Sequence, residues 1–348
     1  MIELTQFHMV SAIAPIAPMR LGILGTARIA RNFVAGLNGS TRVAATAIAS
    51  RDAERASGFA RETGVPTAFG SYEAMLESSE IDAVYNPLPN GMHADWSVRA
   101  MECAKHVLCE KPLAASHAEA VRMFAAAQRC GVHLVEAYPY RSQPQTLTLQ
   151  RVIREGAIGQ IKTVHAAFGF TLTDRSNIRF DSSLAGGALM DLGSYPLSLI
   201  RMLAGSAPVT LQALGIWDPL GIDRAAIVSL SFAGGMLAQA ACSFETVIHR
   251  QAVIAGEDGV IETTYANHTT EVTPVIRIRR GADRQAPMET IEVPGMNGFR
   301  AEAESFADLV HGGEWNGIPP EESLDVAAML DAARAQVSAA AGRETRAP

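Results

Sequence analysis

Two stretches of the chain combine residue types that can move a proton. In Val107-Leu108-Cys109-Glu110-Lys111-Pro112-Leu113-Ala114 a lysine stands at the carboxyl end of a short apolar run. Ligands bind at that edge of open parallel sheets. Pro112 shapes the turn and admits a cis bond. Lysine is scarce here: of 29 cationic residues only Lys105, Lys111 and Lys162 are not arginine. In Gly186-Gly187-Ala188-Leu189-Met190-Asp191-Leu192-Gly193-Ser194-Tyr195-Pro196, Asp191 and Tyr195 are four apart. On helical backbone they share a face, where an acid and a phenol can hold and deprotonate a hydroxyl. A nearby ammonium favours phenolate and is expected to lower the phenol pKa. A surface lysine in an ordinary loop and a buried, hydrogen-bonded tyrosine fit the same spacings.

Two further stretches suit a phosphate-bearing ligand. Leu21-Gly22-Ile23-Leu24-Gly25-Thr26-Ala27-Arg28-Ile29-Ala30 reads as strand, tight turn and helix start. Its register Gly25-x-Ala27-x-x-Ala30 approximates the dinucleotide fingerprint. Gly25 permits the turn, Ala27 stands where backbone approaches a pyrophosphate, and Ala30 allows close helix–strand packing. Gly25, Thr26, Ala27, Arg28 and Ile29 are therefore expected to hold phosphate with the N–H groups and positive dipole end of the helix. The next strand ends in Ser50-Arg51-Asp52. An NAD site usually has an acid at this tip. A hydroxyl and a guanidinium suit a 2′-phosphate, so NADP(H) is expected over NAD(H). The loop Asp82–His93 is a similar strand end, in which Pro87, Leu88, Asn90 and His93 face the same ligand region. His93 also reads as a plain helix-start residue.

The elements that must position these residues follow from the apolar pattern. Strand-like runs at Leu21–Leu24, Val43–Ala49, Ala83–Tyr85, His106–Cys109 and Val132–Val135 alternate with helical stretches at Arg28–Leu37, Asp52–Glu62, Ala94–Cys103 and Ser116–Arg129. That alternation predicts a doubly wound parallel sheet, an α/β Rossmann domain. After Arg141 the texture changes. A helix at Gln145–Glu155 leads into eight strand-like runs between Ile161 and Val293, interrupted by a helix at Leu192–Leu203 and followed by helices at Arg300–Val310 and Glu322–Ala340. Gly234-Gly235 and Gly256–Gly259 read as hairpin turns. This predicts an α+β domain on a large, open, mainly antiparallel sheet. The expected division is a flexible extension at 1–18, a cofactor-binding domain at 19–140 and a substrate-binding and oligomerisation domain at 141–348.

Composition excludes several classes. The 348 residues exceed the size at which single cores stop growing. Hydrophobic residues at 48% against charged residues at 19% argue for packed cores rather than disorder. A net charge of −7 without a Lys/Arg run argues against nucleic acid. No apolar run reaches the roughly 20 residues of a membrane span. The cysteines Cys103, Cys109, Cys130 and Cys242 form no zinc spacing, so no metal is expected; they read as reduced thiols of a cytoplasmic protein. Met1–Pro18 lacks the basic and long apolar regions of a secretory signal.

The motifs at Gly25–Ala30, Ala83–His93, Lys105–Ala114, Glu136–Arg141 and Gly186–Pro196 stand in family order and spacing, and the chain from Leu21 onward resembles the glucose–fructose oxidoreductase, inositol dehydrogenase and MocA-like (Gfo/Idh/MocA) oxidoreductases. Tyr195, where the inositol dehydrogenase branch has histidine, makes it similar to the branch of glucose–fructose oxidoreductase, dimeric dihydrodiol dehydrogenase and NADP-dependent xylose dehydrogenase. The resemblance implies Lys111 and Tyr195 as the catalytic pair with Asp191, Glu110 and Lys111 beside the cofactor, and NADP(H) as that cofactor. It implies a substrate site at His93, Tyr138, Arg141, Arg179, Asp191 and Tyr195. The expected activity is hydride transfer between NADP(H) and a carbinol or carbonyl carbon of a sugar or polyol. Alternatives are a keto-sugar reductase of nucleotide-sugar or inositol metabolism and a non-catalytic NADP-binding regulator. The second sheet is expected to form a homodimer or homotetramer.

Overall fold

The structure, a computed structural model, describes residues 17–265, 274–281, 283 and 285–344. The expected extension at 1–18 lies outside the described residues except for Ala17 and Pro18.

Its first half runs β1 (Met19–Leu24), α1 (Arg28–Gly36), β2 (Val43–Ala49), α2 (Ala53–Thr63), β3 (Thr67–Phe69), α3 (Tyr72–Leu76), β4 (Ala83–Asn86), α4 (His93–Glu102), β5 (His106–Glu110), α5 (His117–Cys130) and β6 (Leu134–Ala137). The six strands pair in the order β3-β2-β1-β4-β5-β6, every pair parallel. The order reverses between β1 and β4, the switch point at which open α/β sheets bind ligands. Apolar side chains cover both faces. Met75, Met101 and Met123 from α3, α4 and α5 pack on one, and Phe33, Phe59 and Phe306 on the other.

Local chemistry sets the element ends. Asp52, Ser71 and Ser116 cap α2, α3 and α5 through their side chains. Gly131 ends α5 at φ +67°, so Val132 and His133 are spent on the return. The strand expected at Val132–Val135 is therefore Leu134–Ala137. The short β3 and α3 had no counterpart in the apolar pattern.

The second half runs α6 (Pro144–Arg154), β7 (Ile161–Gly169), a π-turn (Leu189–Gly193), α7 (Ser194–Ala204), β8 (Thr210–Asp218), β9 (Ile222–Ser231), β10 (Leu237–Ser243), β11 (His249–Gly256), β12 (Gly259–Thr263), β13 (Val275–Arg280), β14 (Glu289–Glu292), α8 (Gly298–Val310) and α9 (Pro320–Glu344). Its strands pair in the order β14-β13-β12-β11-β7-β10-β9-β8. All pairs are antiparallel except β7–β10. Leu149 and Val152 of α6, Leu197 and Ile200 of α7, and Met329, Leu330 and Val337 of α9 cover one face. On the other face Leu214, Ile216, Ile227, Leu237 and Val253 are exposed. Helix α8 packs on α1 and β2, and α9 reaches α5 and β6, so the end of the chain binds the two sheets together. The helix expected from Leu192 begins earlier, because Leu189–Gly193 coil as a π-turn that runs directly into α7.

Candidate active site

The phosphate loop forms at the end of β1. Gly25 has φ +80°, and a Cβ there would stand 2.9 Å from Leu88 Cδ2 and 3.5 Å from the Tyr72 hydroxyl. The N-terminus of α1 has no side-chain cap and no acid in its first turn. Its first N–H groups and positive end are thus left for an anion. Thr26, Ala27, Arg28 and Ile29 form the turn and the helix start; the Thr26 carbonyl accepts from Arg31 at 2.9 Å. At the end of β2, Asp52 caps α2, accepting from the amides of Glu54 and Arg55. Ser50 is buried, and its Oγ accepts from the Asp52 amide at 3.3 Å. Arg51 is exposed, and its charge acts on the Tyr72 hydroxyl, the oxygen that also faces Gly25. A small-residue cradle, an uncapped helix end and a guanidinium beside them fit a dinucleotide with an extra phosphate.

The second cluster joins the two sheets. The Lys111–Pro112 peptide is cis. Lys111 Nζ donates to Asp191 Oδ1 at 3.0 Å and to the Asp191 carbonyl at 2.9 Å. Arg179 Nε donates to Asp191 Oδ2 at 2.5 Å. Burial pushes the Asp191 carboxyl upward, but the ammonium and the guanidinium outweigh it and bring the pKa down to about 2. Asp191 is thus a fixed anion clamped between two cations. Asn90, after β4, donates to the Ala185 carbonyl at 2.9 Å and fastens the same seam.

Tyr195 is 2% exposed. The rings of Tyr138, Phe168 and Tyr140 lie 5.4, 5.3 and 6.1 Å from its own. Lys111 Nζ sits 5.1 Å from the Tyr195 ring centroid, over the ring. The expectation of a lowered phenol pKa is corrected here. Burial first, then the charges of Glu110 and Asp191, hold the Tyr195 phenol well above its ordinary value. The Lys111 charge is already committed to Asp191, so in this arrangement Tyr195 keeps its proton.

Several expected contacts turn inward instead. His93 is 1% exposed. Its Nδ1 lies 2.9 Å from the Pro112 carbonyl and its Nε2 2.7 Å from the Leu88 carbonyl. Burial lowers its pKa to about 4 although both carbonyls oppose that. It is wedged between the two strand-end loops, shut off from solvent. Pro87 and Leu88 are buried in one of these loops, where Leu88 alone meets the Gly25 turn. Glu110 accepts from the Tyr85 hydroxyl at 2.6 Å and from the Lys111 amide at 3.2 Å, inside the core. Tyr138 is buried and donates to the Ser194 carbonyl at 3.3 Å. Arg141, also buried, pairs with Glu322 of α9 at 2.8 Å. His93, Glu110, Tyr138 and Arg141 are thus buried with protein partners and support the site from behind. Three participants had no functional mark in the sequence: Tyr72, Asp223 and Glu322, the last read only as a helix start. The only signal for Asp223 is an acid just ahead of the apolar run that begins at Ala225.

Residues 19–138 match the oxidoreductase family with an NAD-binding Rossmann fold (GFO_IDH_MocA), and residues 146–262 match the GFO/IDH/MocA C-terminal domain. The chain is 37% identical over 315 residues to D-xylose 1-dehydrogenase (NADP(+)) 2 of Haloferax volcanii, covering 90% of this chain and 96% of that one. It is 32% identical to trans-1,2-dihydrobenzene-1,2-diol dehydrogenase of Danio rerio, covering 92% and 97%. Among solved structures it resembles KijD10, a 3-ketoreductase from Actinomadura kijaniata in complex with NADP and TDP-benzene, with TM-score 0.82 and 31% identity over 92% of this chain and 98% of that one. With its two sheets, its phosphate loop and its lysine-bearing strand end matched along nearly the whole length, the chain belongs to the Gfo/Idh/MocA family of oxidoreductases.

Proposed function

We propose that this chain is an NADP(H)-dependent oxidoreductase acting on a carbinol or carbonyl carbon of a sugar or polyol. The observation that carries the reading is the Lys111–Asp191–Arg179 array with Lys111 over the Tyr195 ring, at the sheet edge that also carries the Gly25 turn. Gly25, Thr26, Ala27, Arg28 and Ile29 would hold the pyrophosphate, and Ser50 and Arg51 the 2′-phosphate. The bound nicotinamide supplies or takes the hydride.

The chain's own residues handle the proton and the orientation. Tyr195, with its hydroxyl protonated, gives a proton to the substrate oxygen in reduction and takes it back in oxidation. Lys111 donates to that oxygen through the one N–H it does not give to Asp191, fixing and polarising it. Asp191 holds the ammonium in place, and Arg179 holds Asp191. The Lys111–Asp191 and Asn90–Ala185 contacts between the two halves keep this geometry rigid before substrate arrives. In support, KijD10 was solved as variants of a lysine and of a tyrosine that stand at the same separation along its chain as Lys111 and Tyr195 do here.

A second reading, reduction of a keto sugar, is favoured by the proton-holding Tyr195. Two parallel assays separate the readings: NADP reduction with aldoses and dihydrodiols, and NADPH oxidation with keto sugars. Turnover in neither, with NADP bound, would leave the non-catalytic regulator as the reading.

The exposed face of the eight-stranded sheet is proposed to pair with a second copy, giving a homodimer or homotetramer. Among the described residues no helix is long and apolar enough to cross a membrane. All four cysteines are free, which supports a cytoplasmic location.

A further inference from the structure

We propose that Asp223, on the second sheet, is the positioning residue that holds the Arg179–Asp191 arm against Lys111. The inference rests on the role given to Asp191 above.

Asp223 lies near the start of β9 and is 0% exposed. Its Oδ2 accepts from the Leu189 amide at 2.6 Å. Leu189 opens the π-turn that carries Asp191 and continues into α7, the helix of Tyr195. A carboxylate at that point also complements the positive end of the combined helix. The other oxygen, Oδ1, is buried with no hydrogen-bond partner, and it faces Gly187. A Cβ on Gly187 would stand 2.5 Å from Oδ1, and Gly187 has φ +116°. Only glycine lets the backbone come this close.

The same glycine ties both flanking residues together. Its amide donates to the Arg179 carbonyl at 2.9 Å, and its carbonyl accepts from the Asp191 amide at 3.0 Å. One carboxylate therefore fixes the turn from which both partners of the clamp depart. Arg179 comes from the loop before that turn and Asp191 from the turn itself. Without Asp223, the Leu189 amide loses its acceptor and the turn is free to unwind toward an ordinary helix. Asp191 Oδ1 would then leave Lys111 Nζ. A group that acts through another in this way shows up as coupling, because removing both costs no more than removing the one that makes the contact.

The test is a double-mutant cycle on the full-length protein with NADP and whichever sugar it turns over. D191N is expected to lower kcat by 100-fold or more, and D223A by 10- to 100-fold with the Kd for NADP within twofold of the parent. The D191N/D223A pair should be no worse than D191N alone. D223N keeps an acceptor for the Leu189 amide and is expected to restore kcat to within threefold. D223S is a smaller perturbation and replaces D223A in the cycle if the alanine variant does not fold. The inference is overturned if D223A or D223S leaves kcat within twofold, if the two losses multiply, or if D223N is as impaired as D223A. It is overturned too if D223A and D223S both fail to fold while D223N folds with full activity, since Asp223 then serves folding alone. A D191N variant with normal kcat would instead remove the reading on which the inference rests.

Discussion

The two sheets of this chain solve the burial problem differently, and the difference decides where chemistry can sit. The six-stranded sheet has apolar cover on both faces. Its only approachable backbone is at the strand ends, and Gly25, Arg51, Leu88 and Lys111 all lie just beyond β1, β2, β4 and β5. The eight-stranded sheet has cover on one face. It contributes by that covered face: Phe168 of β7 packs on the Tyr195 ring, Arg250 of β11 lies 5.6 Å over Phe168, and Asp223 of β9 holds the π-turn. A parallel sheet thus offers a row of loops, while the antiparallel one offers a platform against which a few of those loops are set.

The sharpest way to break this arrangement is at the seam. A free phenol has a pKa near 10, and burial raises that of Tyr195 further. Its role is then to hold a proton and release it only to a developing oxyanion. Tyr195→Phe removes the hydroxyl and keeps the ring packed among Tyr138, Tyr140 and Phe168. It is expected to lower kcat by roughly 10²–10⁴, with NADP binding nearly unchanged. Lys111→Met should lower kcat as well, because it removes both the polarising ammonium and one of the two cations on Asp191. Steady-state kinetics of Tyr195→Phe within threefold of the parent would pass the proton-transfer role to another group.

A comparable effect is expected behind the seam, but on stability rather than on rate. Arg141 is 3% exposed and its ion pair with Glu322 ties the end of the first sheet to α9. Removing one partner of a buried pair costs about 3–5 kcal/mol, because the other charge is left uncompensated. Arg141→Met should lower the denaturant midpoint accordingly while the kcat/KM of the folded fraction stays within threefold. A tenfold loss of kcat/KM at unchanged stability would return Arg141 to the substrate contacts that the sequence suggested.

Arg141 also shows why the fold was more legible than the site. Period and caps announce a strand or a helix locally: Ser116 with Glu119 starts α5, and Gly234-Gly235 turns β9 into β10. Lys111, Asp191 and Tyr195 were legible because each sits in a short motif with its own turn chemistry. Whether a polar residue near a strand end faces the cleft or the core depends on partners far along the chain. His93 is wedged between carbonyls of two loops, its one N–H donating to one of them, and Arg141 finds Glu322 181 positions away. No local pattern encodes those choices. Asp223 was hidden for the same reason, since its partner Leu189 lies on a different element. The lowered pKa expected for Tyr195 failed on the same ground: spacing brought an ammonium close, and only the fold showed that Asp191 takes its charge.

A smaller effect is expected at the strand ends of the first sheet. Arg51 is exposed at the tip of β2, near the Tyr72 hydroxyl. A charge-assisted contact to a 2′-phosphate contributes about 1.5–3 kcal/mol, or roughly 10- to 150-fold in affinity. Arg51→Ala should raise the KM for NADP by that factor and leave the KM for NAD nearly unchanged. A parent enzyme that prefers NAD would refute the assignment, as would an equal loss for both cofactors.

The smallest effect on activity is expected on the uncovered face of the second sheet, where the two sheets differ most. Leu214 of β8 pairs with Ile227 of β9, and Ile227 with Ala241 of β10, so three neighbouring strands present a continuous apolar row. Leu214 is 75% exposed and Ile227 46%. Burying such side chains fully contributes roughly 1.5–3 kcal/mol each, and a two-fold symmetric contact counts every one of them twice. Lysine at both positions replaces the row with charges that a symmetric partner would meet with like charges. The double variant Leu214→Lys/Ile227→Lys should therefore fall from a multiple of the chain mass to 37.0 kDa in light scattering. Its kcat should stay within twofold, since Lys111, Asp191 and Tyr195 belong to the opposite, covered side of that sheet. A parent protein that already runs at the single-chain mass at micromolar concentration would show that the face stays open. A double variant that keeps the parent mass would move the contact to another surface.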